Sequence, residues 1–271
     1  MARTAQDVLA LYSSILDDFP YPSLTLALVE RRLPAGHSPA YMAVVAQPAV
    51  PSNLSYGDDP ASFPEFPEFF LAHELAHEWW GQAVGWKNYH EQWISEGFAQ
   101  YFAALFAERA RGRPAFDAMM RKMRRWGVEA SGQGAIFLGY RVGHVKGDSR
   151  LFRAVVYNKA AAVLHMLRRL VGDDAFFAGL RRFYHTWRFR KAGSDDLRKA
   201  MEATSGIQLE RFFERWVYGQ DLPQVTFTWK TDRGPAGQEA VIRFEQTGDV
   251  FDMPVTVTLD YLDRAPVDVT V

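Results

Sequence analysis

The chain contains no cysteine, and it has no apolar run long enough to cross a membrane as a helix. The missing thiols exclude disulfide bonds and thiolate metal sites, and they leave the compartment undetermined. An excess of one charge is also lacking, because 31 basic and 32 acidic residues give a net charge of −1 at pH 7. A chain this close to neutral is not typical of proteins that bind nucleic acid or anionic membranes, so we expect neither partner.

The overall composition is that of an ordinary globular protein. Of its 271 residues, 48% are hydrophobic and 23% are charged, which is enough apolar material for a sizeable core. Composition of this kind does not distinguish one function from another, so the function has to be argued from motifs.

The stretch 69–80 contains the sequence HELAH and carries most of the chemical information. Apolar residues surround the motif and neither Pro nor Gly interrupts it before Gly81, which predicts a buried helix. Residues four apart share a helix face, so His73 and His77 can bind one metal ion while Glu74 flanks it. A carboxylate in that place can act as general base for a metal-activated water. The alternative is that the two histidines are only hydrogen-bonded within a packed helix.

A zinc hydrolase needs three protein ligands and one open position for water, so the motif requires a third ligand. Glu96 lies 19 residues after His77, as a lone carboxylate in an otherwise apolar helical stretch. A buried carboxylate is unfavourable without a cation, and a metal ion would supply one. We therefore predict one Zn²⁺ per chain, with Glu96 as the third ligand. The alternative is a carboxylate that the dipole favours near a helix N-terminus.

The hydrophobic patterns predict an α+β fold, mostly helical after a small N-terminal sheet. We expect a helix over 4–18, strands over 23–30 and 41–46, and a long proline-rich loop over 47–67. That loop either lies near the cleft or is a surface excursion. Further helices are predicted over 114–125, 151–171, 173–187, 194–204 and 208–218, with an irregular glycine-rich loop over 127–147.

From Leu222 onward the pattern changes to a period of two, which predicts about four strands before the sequence stops at Val271. Four short strands form at most one sheet. We therefore expect residues 1–220 to form one domain and residues 221–271 to form a partial β-sheet segment of a longer protein.

Three segments, HELAHEWWG, WISEGFAQYF and the YNKA that begins at Tyr157, together closely resemble the gluzincin aminopeptidases of the aminopeptidase N and leukotriene hydrolase type. The resemblance extends over about residues 17–223. It implies zinc on His73, His77 and Glu96, with Glu74 as the base. It also implies that Tyr157 donates a hydrogen bond to the oxyanion; the alternative is that this tyrosine only packs.

The resemblance has further implications for the fold and the partners. It implies a thermolysin-like zinc peptidase catalytic domain in residues 1–220 and the start of a β-sandwich in residues 221–271. It also implies a peptide substrate, and packing against an N-terminal β-domain and further C-terminal sequence that this chain lacks.

One segment departs from the family pattern. Family aminopeptidases carry GAMEN beside the zinc, and its Glu binds the free amine of the substrate. The aligned segment here is GHSPA, in which Gly36 matches and Pro39 stands at the Glu position. Proline cannot pair with an ammonium group, and it also lacks a backbone donor. Strong recognition of a free amine is therefore not expected unless His37, Asp58 or Asp59 takes over that role.

The sequence thus predicts a zinc metallopeptidase, aminopeptidase-like, that hydrolyses peptide bonds with a metal-activated water. Two other functions stay open: a noncatalytic, zinc-stabilised peptide-binding or scaffold module, and a zinc hydrolase of a non-peptide substrate. The presence of both Glu74 and Tyr157 favours the enzyme.

Overall fold

The structure is a computed structural model that describes residues 1–30, 36–47, 59–234, 237–261 and 264–270. Helices dominate the described part, and its strands form two-stranded sheets only, so the fold is of the mixed α+β kind that the patterns predict.

The helices are α1 (Ala2–Leu16), α2 (Phe69–Ala76), α3 (Trp93–Arg111), α4 (Arg113–Glu129), α5 (Ser149–Phe152), α6 (Ala160–Val171), α7 (Asp173–Trp187), α8 (Ser194–Ser205) and α9 (Glu210–Phe213). The strands are β1 (Thr25–Glu30), β2 (Met42–Gln47), β3 (Val84–Trp86), β4 (Arg190–Ala192), β5 (Gln224–Gly234), β6 (Gly237–Thr247), β7 (Thr256–Leu259) and β8 (Val267–Thr270). Helical segments of π type occur at Arg141–Val145, Arg153–Lys159 and Glu214–Tyr218, and 3₁₀ turns at Tyr89–Glu91, Ser131–Gln133 and Ile136–Leu138.

The small N-terminal sheet is present at the expected place. Strands β1 and β2 pair in parallel, with Thr25 opposite Met42 and Glu30 opposite Gln47. Of the proline-rich stretch 47–67, residues 48–58 lie outside the described ranges. From Asp59 onward the chain runs through turns into α2.

The helices predicted over 4–18, 173–187 and 194–204 are confirmed within two residues at each end, whereas the helix predicted over 208–218 is the short α9 followed by the π segment Glu214–Tyr218. The helix predicted over 151–171 begins at Ser149 and contains the π segment Arg153–Lys159. The loop predicted over 127–147 is largely helical, because α4 continues to Glu129 and short helical segments follow. Gly127 does not end a helix: a Cβ there would lie 2.8 Å from the Cα of Lys159, so glycine allows close packing of α4.

The expectation of a single sheet in the C-terminal segment is wrong. Strands β5 and β6 form one antiparallel hairpin, and β7 and β8 form another. In each hairpin the two strands are neighbours in sequence and hydrogen-bond only to each other. No described strand connects the two hairpins. Phe227 and Trp229 on β5 are 65% and 67% exposed, so one face of this hairpin has no cover among the described residues.

The core lies around α2 and α3 and is rich in aromatic side chains. Tyr12 of α1 packs edge-on against Trp79 and Phe102, with ring centroids 5.7 and 5.2 Å apart. Its hydroxyl donates to the carbonyl of Ala72 on α2, so the one polar atom in this contact is satisfied. Trp80, which follows α2, packs against Phe98 of α3 at a centroid distance of 4.5 Å, and both side chains are fully buried.

None of the helices in the described ranges is both long and apolar enough to pass through a bilayer.

A buried ion pair joins the segment before α2 to the helix that carries Tyr157. Arg153 donates through Nε and Nη2 to the two carboxylate oxygens of Asp59, at 2.6 and 2.9 Å. The two side chains are only 14% and 5% exposed. Asp59 is therefore engaged in a structural contact, which argues against its predicted alternative role as an amine anchor.

Removing the carboxylate of Asp59 is expected to destabilise the fold. Breaking a buried charge pair from one side costs about 3 kcal/mol, whereas an exposed pair contributes less than about 1 kcal/mol. Asp59→Ala should therefore lower the free energy of unfolding far more than Glu65→Ala, which removes an exposed partner of Lys122. Urea denaturation of both variants measures the difference, and equal effects would contradict the prediction.

Candidate metal centre

The two histidines of the HELAH motif lie on the last turns of α2. The helix ends at Ala76, and its final turns tighten to i→i+3 bonds, as in the amide of His77 donating to the carbonyl of Glu74. The rings of His73 and His77 are nevertheless close, with centroids 4.9 Å apart and planes at 84°. The predicted spacing therefore brings both imidazoles to one side of the chain, although the helix is shorter than the pattern 69–80 indicates.

Glu96 reaches the same point from the first turn of α3. Its Oε2 lies 3.4 Å from Nε2 of His73 and 3.4 Å from Nε2 of His77. Donor atoms about 2.0–2.1 Å from a tetrahedral ion are about 3.3 Å apart, so these separations fit zinc. The side chain of Glu96 is 24% exposed, less buried than its apolar surroundings in sequence indicate, and this exposure is compatible with an open coordination position.

Two hydrogen-bonding contacts on the far side of the His77 ring, at Nδ1, orient it. Its Nδ1 lies 3.1 Å from the carbonyl of Trp80 and 3.0 Å from the hydroxyl of Ser95. A carbonyl only accepts, so Nδ1 carries a proton, and Nε2 is the nitrogen that faces Glu96 and could bind a metal once its own proton is lost. Metal-binding histidines are commonly held in this way. Sequence reasoning did not identify Ser95, which precedes Glu96 on the same helical turn.

The charges of the three side chains are strongly coupled. Burial alone would lower the pKa of His77, but the charge of Glu96 outweighs it and raises the pKa to about 9. Burial alone would raise the pKa of Glu96, but the charge of His77 and hydrogen bonds from both imidazoles hold that pKa well below its usual value. The site thus balances one carboxylate against a cation, which is the electrostatic environment that suits a metal ion.

Glu74 lies beside this cluster without joining it. Glu74 is only 5% exposed, and its Oε2 accepts a hydrogen bond of 2.6 Å from the hydroxyl of Ser38. Sequence reasoning gave Ser38 no role, and its only signal was its place between Gly36 and Pro39 in the segment aligned with GAMEN.

Tyr157 lies next to His73. The two rings are parallel within 3°, with centroids 5.7 Å apart, and Phe152 meets the tyrosine edge-on at 5.9 Å. The residue belongs to the π segment Arg153–Lys159, a local change of helical pitch that often occurs at functional sites. The fold thus brings a residue 61 positions beyond Glu96 next to His73, one of the predicted metal ligands.

The other predicted anchors do not gather at this cluster. His37 is exposed and its backbone pairs with Val44. Asp59 is bound to Arg153, and Asp58 lies outside the described residues. Of the predicted residues, the structure brings together His73, His77, Glu96, Glu74 and Tyr157.

Comparison with known proteins places these residues in a wider group. The chain matches the Peptidase family M1 domain over residues 68–216, a stretch that includes α2, α3 and Tyr157. It is 29% identical over 162 residues to aminopeptidase N of Lactococcus lactis subsp. lactis, covering 58% of this chain and 19% of that protein. It is also 29% identical over 171 residues to aminopeptidase N of Oryctolagus cuniculus, covering 58% and 18%. The chain thus spans about a fifth of the length of these curated relatives.

A solved structure shares the fold. It is a variant of an M1 zinc metallopeptidase from Deinococcus radiodurans, described as bound to a Tyr-Ser-Ala substrate. Its TM-score to this chain is 0.60 at 24% sequence identity, over 82% of this chain and 44% of the other. Because the family domain covers more than half of the chain and contains the histidine and glutamate segments described above, the predicted family is confirmed: this chain belongs to peptidase family M1, the gluzincin family of aminopeptidase N.

Proposed function

We propose that this chain hydrolyses peptide bonds with one zinc ion held by His73, His77 and Glu96. The observation that carries the proposal is the approach of Glu96 to both imidazoles at 3.4 Å, with Glu74 buried beside them. Two relatives named aminopeptidase N and a structural neighbour named as a zinc metallopeptidase support both the metal and the reaction.

Bound zinc would supply a Lewis acid that lowers the pKa of water toward about 7. Glu74 is not a ligand, so its carboxylate can take a proton from the attacking water and return it to the leaving amine. Tyr157 donates its hydroxyl hydrogen to the carbonyl oxygen of the peptide as negative charge develops there. Its parallel contact with the ring of His73 supports this role, because it holds the tyrosine next to the ligands.

The domain organisation is proposed on the same basis. Residues 1–220 form a thermolysin-like catalytic domain, and residues 221–271 belong to a β-sandwich that further sequence completes. The separate hairpins β5–β6 and β7–β8 support this division, as do the exposed Phe227 and Trp229, since such faces are normally covered. An N-terminal β-domain beside the cleft is part of the same proposal.

Catalysis is favoured over a zinc-stabilised binding module because the base is in place. A module that binds without reacting has no need of a buried carboxylate next to its metal ligands, and burying one is unfavourable. Free-amine specificity is a separate matter, since Pro39 stands where the family has its amine-binding Glu.

Purified protein is expected to contain one zinc ion per chain. His73→Ala and Glu96→Ala should each lose most of the metal because a three-ligand site rarely survives with two. His185→Ala, which removes an exposed histidine of α7, is the matched control and should keep it. Elemental analysis measures the zinc content. Full zinc occupancy in either ligand variant would refute the assignment.

Removing the zinc with a chelator should also abolish peptide hydrolysis and lower the melting temperature of the protein.

Glu74→Gln should keep the zinc yet lose on the order of 10²–10⁴-fold in turnover, the range for loss of a general base. The same change at Glu68, which directly precedes α2 and is not part of the cluster, should leave turnover nearly unchanged. Steady-state kinetics on a fluorogenic peptide compares the two. A fully active Glu74→Gln variant would sink the proposed mechanism.

Blocking the substrate amine should matter little. Losing a charge-assisted partner for an ammonium typically costs on the order of 1.5–3 kcal/mol, and Pro39 cannot provide that partner. We expect cleavage of a peptide and its N-acetylated form to differ by less than about tenfold, the equivalent of 1.4 kcal/mol. Digests of paired peptides, followed by mass spectrometry, give the ratio. A strict requirement for the free amine would show that another group holds it.

A further inference from the structure

The carboxylate of Glu74 lies against a segment 36 residues earlier in the chain. Ser38 donates its hydroxyl hydrogen to Oε2 of Glu74 at 2.6 Å, and the two residues are 6% and 5% exposed. A hydroxyl has one hydrogen to donate, so this bond engages one carboxylate oxygen and leaves the other able to accept a proton. Hydrogen bonds to a charged group in a buried place are short and strong, as this one is.

The backbone that carries Ser38 is fixed by contacts of its own. The carbonyl of Ser38 accepts a bond of 2.7 Å from Nε2 of Gln82, and the amide of Tyr41 donates to Oε2 of Glu78 at 3.1 Å. Glu74 lies on α2, and Glu78 and Gln82 lie in the turns that follow it, so three side chains from this part of the chain bond to residues 38–41. Ser38 therefore presents its hydroxyl from a rigid support.

Two more features tighten the same segment. His37 exchanges backbone hydrogen bonds of 3.1 and 2.8 Å with Val44 of β2. Gly36 lies so close to Glu74 that a Cβ there would overlap the carboxyl group. The Glu74 carboxylate thus accepts a hydrogen bond from Ser38 at one oxygen, and Gly36, which has no side chain, packs against the remainder of the carboxyl group.

We propose that Ser38 is a positioning residue for Glu74, which holds the carboxylate in the one orientation from which it can exchange a proton with the attacking water. The inference rests on the proposed function, in which Glu74 is the base. A free glutamate side chain samples many rotamers, and a base that is misplaced by about 1 Å loses much of its effect. Ser38 touches neither the substrate nor the metal ligands in this role.

The test compares Ser38→Ala, Ser38→Thr and Ser131→Ala in the full chain. Ser38→Ala should lower kcat by about tenfold or more while KM changes less than about threefold and zinc content stays at one per chain. Ser38→Thr keeps the hydroxyl and should restore most of the rate. Ser131→Ala removes a buried serine that donates to the carbonyl of Gln220, and it should leave kcat within about twofold.

A double-mutant cycle distinguishes the positioning role of Ser38 from the proposed role of Glu74 as the base. In the Glu74→Gln background, Ser38→Ala should lower kcat by less than about twofold, because its effect acts through the base. A full additional loss there, or an unchanged kcat for Ser38→Ala alone, would overturn the positioning role while the proposed function stands. Unchanged turnover in Glu74→Gln would overturn both.

A second variant covers the possibility that the alanine change prevents folding. Gly36→Ala should displace the Glu74 carboxyl and reproduce the loss in kcat, whereas Gly132→Ala, at a position with open space around it, should not. Because Ser38→Ala removes a buried hydrogen bond to a carboxylate, it should also lower the melting temperature of the protein by about 2–4 °C. Gly36→Ala with unchanged kcat would count against the proposal.

Discussion

The approach of Glu96 to the two imidazoles is the interaction on which the rest of this structure depends. It joins the end of α2 to the start of α3, and both helices run through the most aromatic part of the core. A carboxylate at this depth has to be balanced by positive charge. Among the described side chains, His77 can supply it, as its raised pKa indicates. With zinc bound, the ion would take over that balance, so the same geometry stabilises the fold and prepares the chemistry.

The segment 36–41 contacts the proposed base, Glu74, from outside its own helix. Three side chains form hydrogen bonds with this segment. Those of Glu78 and Gln82 bond to its backbone, and that of Glu74 bonds to the hydroxyl of Ser38. The family pattern has its amine-binding Glu in this same stretch. Here Pro39 occupies that position, while Ser38 contacts the base instead. The segment therefore retains its contact with the metal helix although the residue for amine recognition is different.

The chain spans about a fifth of the length of its curated relatives, and the proposed metal ligands, Glu74 and Tyr157 all lie within the matched family domain. The contacts among these residues lie within residues 68–216, whereas Ser38 and its neighbours lie earlier in the chain. The C-terminal hairpins are different in character, since their aromatic residues Phe227 and Trp229 are exposed. A well-packed helical core is thus followed by strands whose aromatic side chains are exposed.

Local rules were sufficient for much of this protein. The four-residue spacing of His73 and His77 follows from helical geometry, and the run of helices follows from a period of 3.6, because both depend only on neighbours in sequence. Glu96 could be named from its setting, since a lone carboxylate among apolar residues requires a cation. The failures came where local rules do not reach. The glycine pattern predicts a loop at Gly127, because the close approach of Lys159 cannot be seen in the sequence.

Long-range contacts decided the rest. The π segment at Tyr157 and the pairing of the last strands as two separate hairpins depend on which surfaces meet, and periodicity carries no such information. Ser38 is the clearest example, because a serine 36 residues from its partner has no pattern that marks it as a donor to a buried carboxylate. The sequence by itself thus determined which residues can bind a metal and activate water. Only the tertiary structure decided how the base is held, because a hydrogen bond between distant segments exists only after folding brings them together.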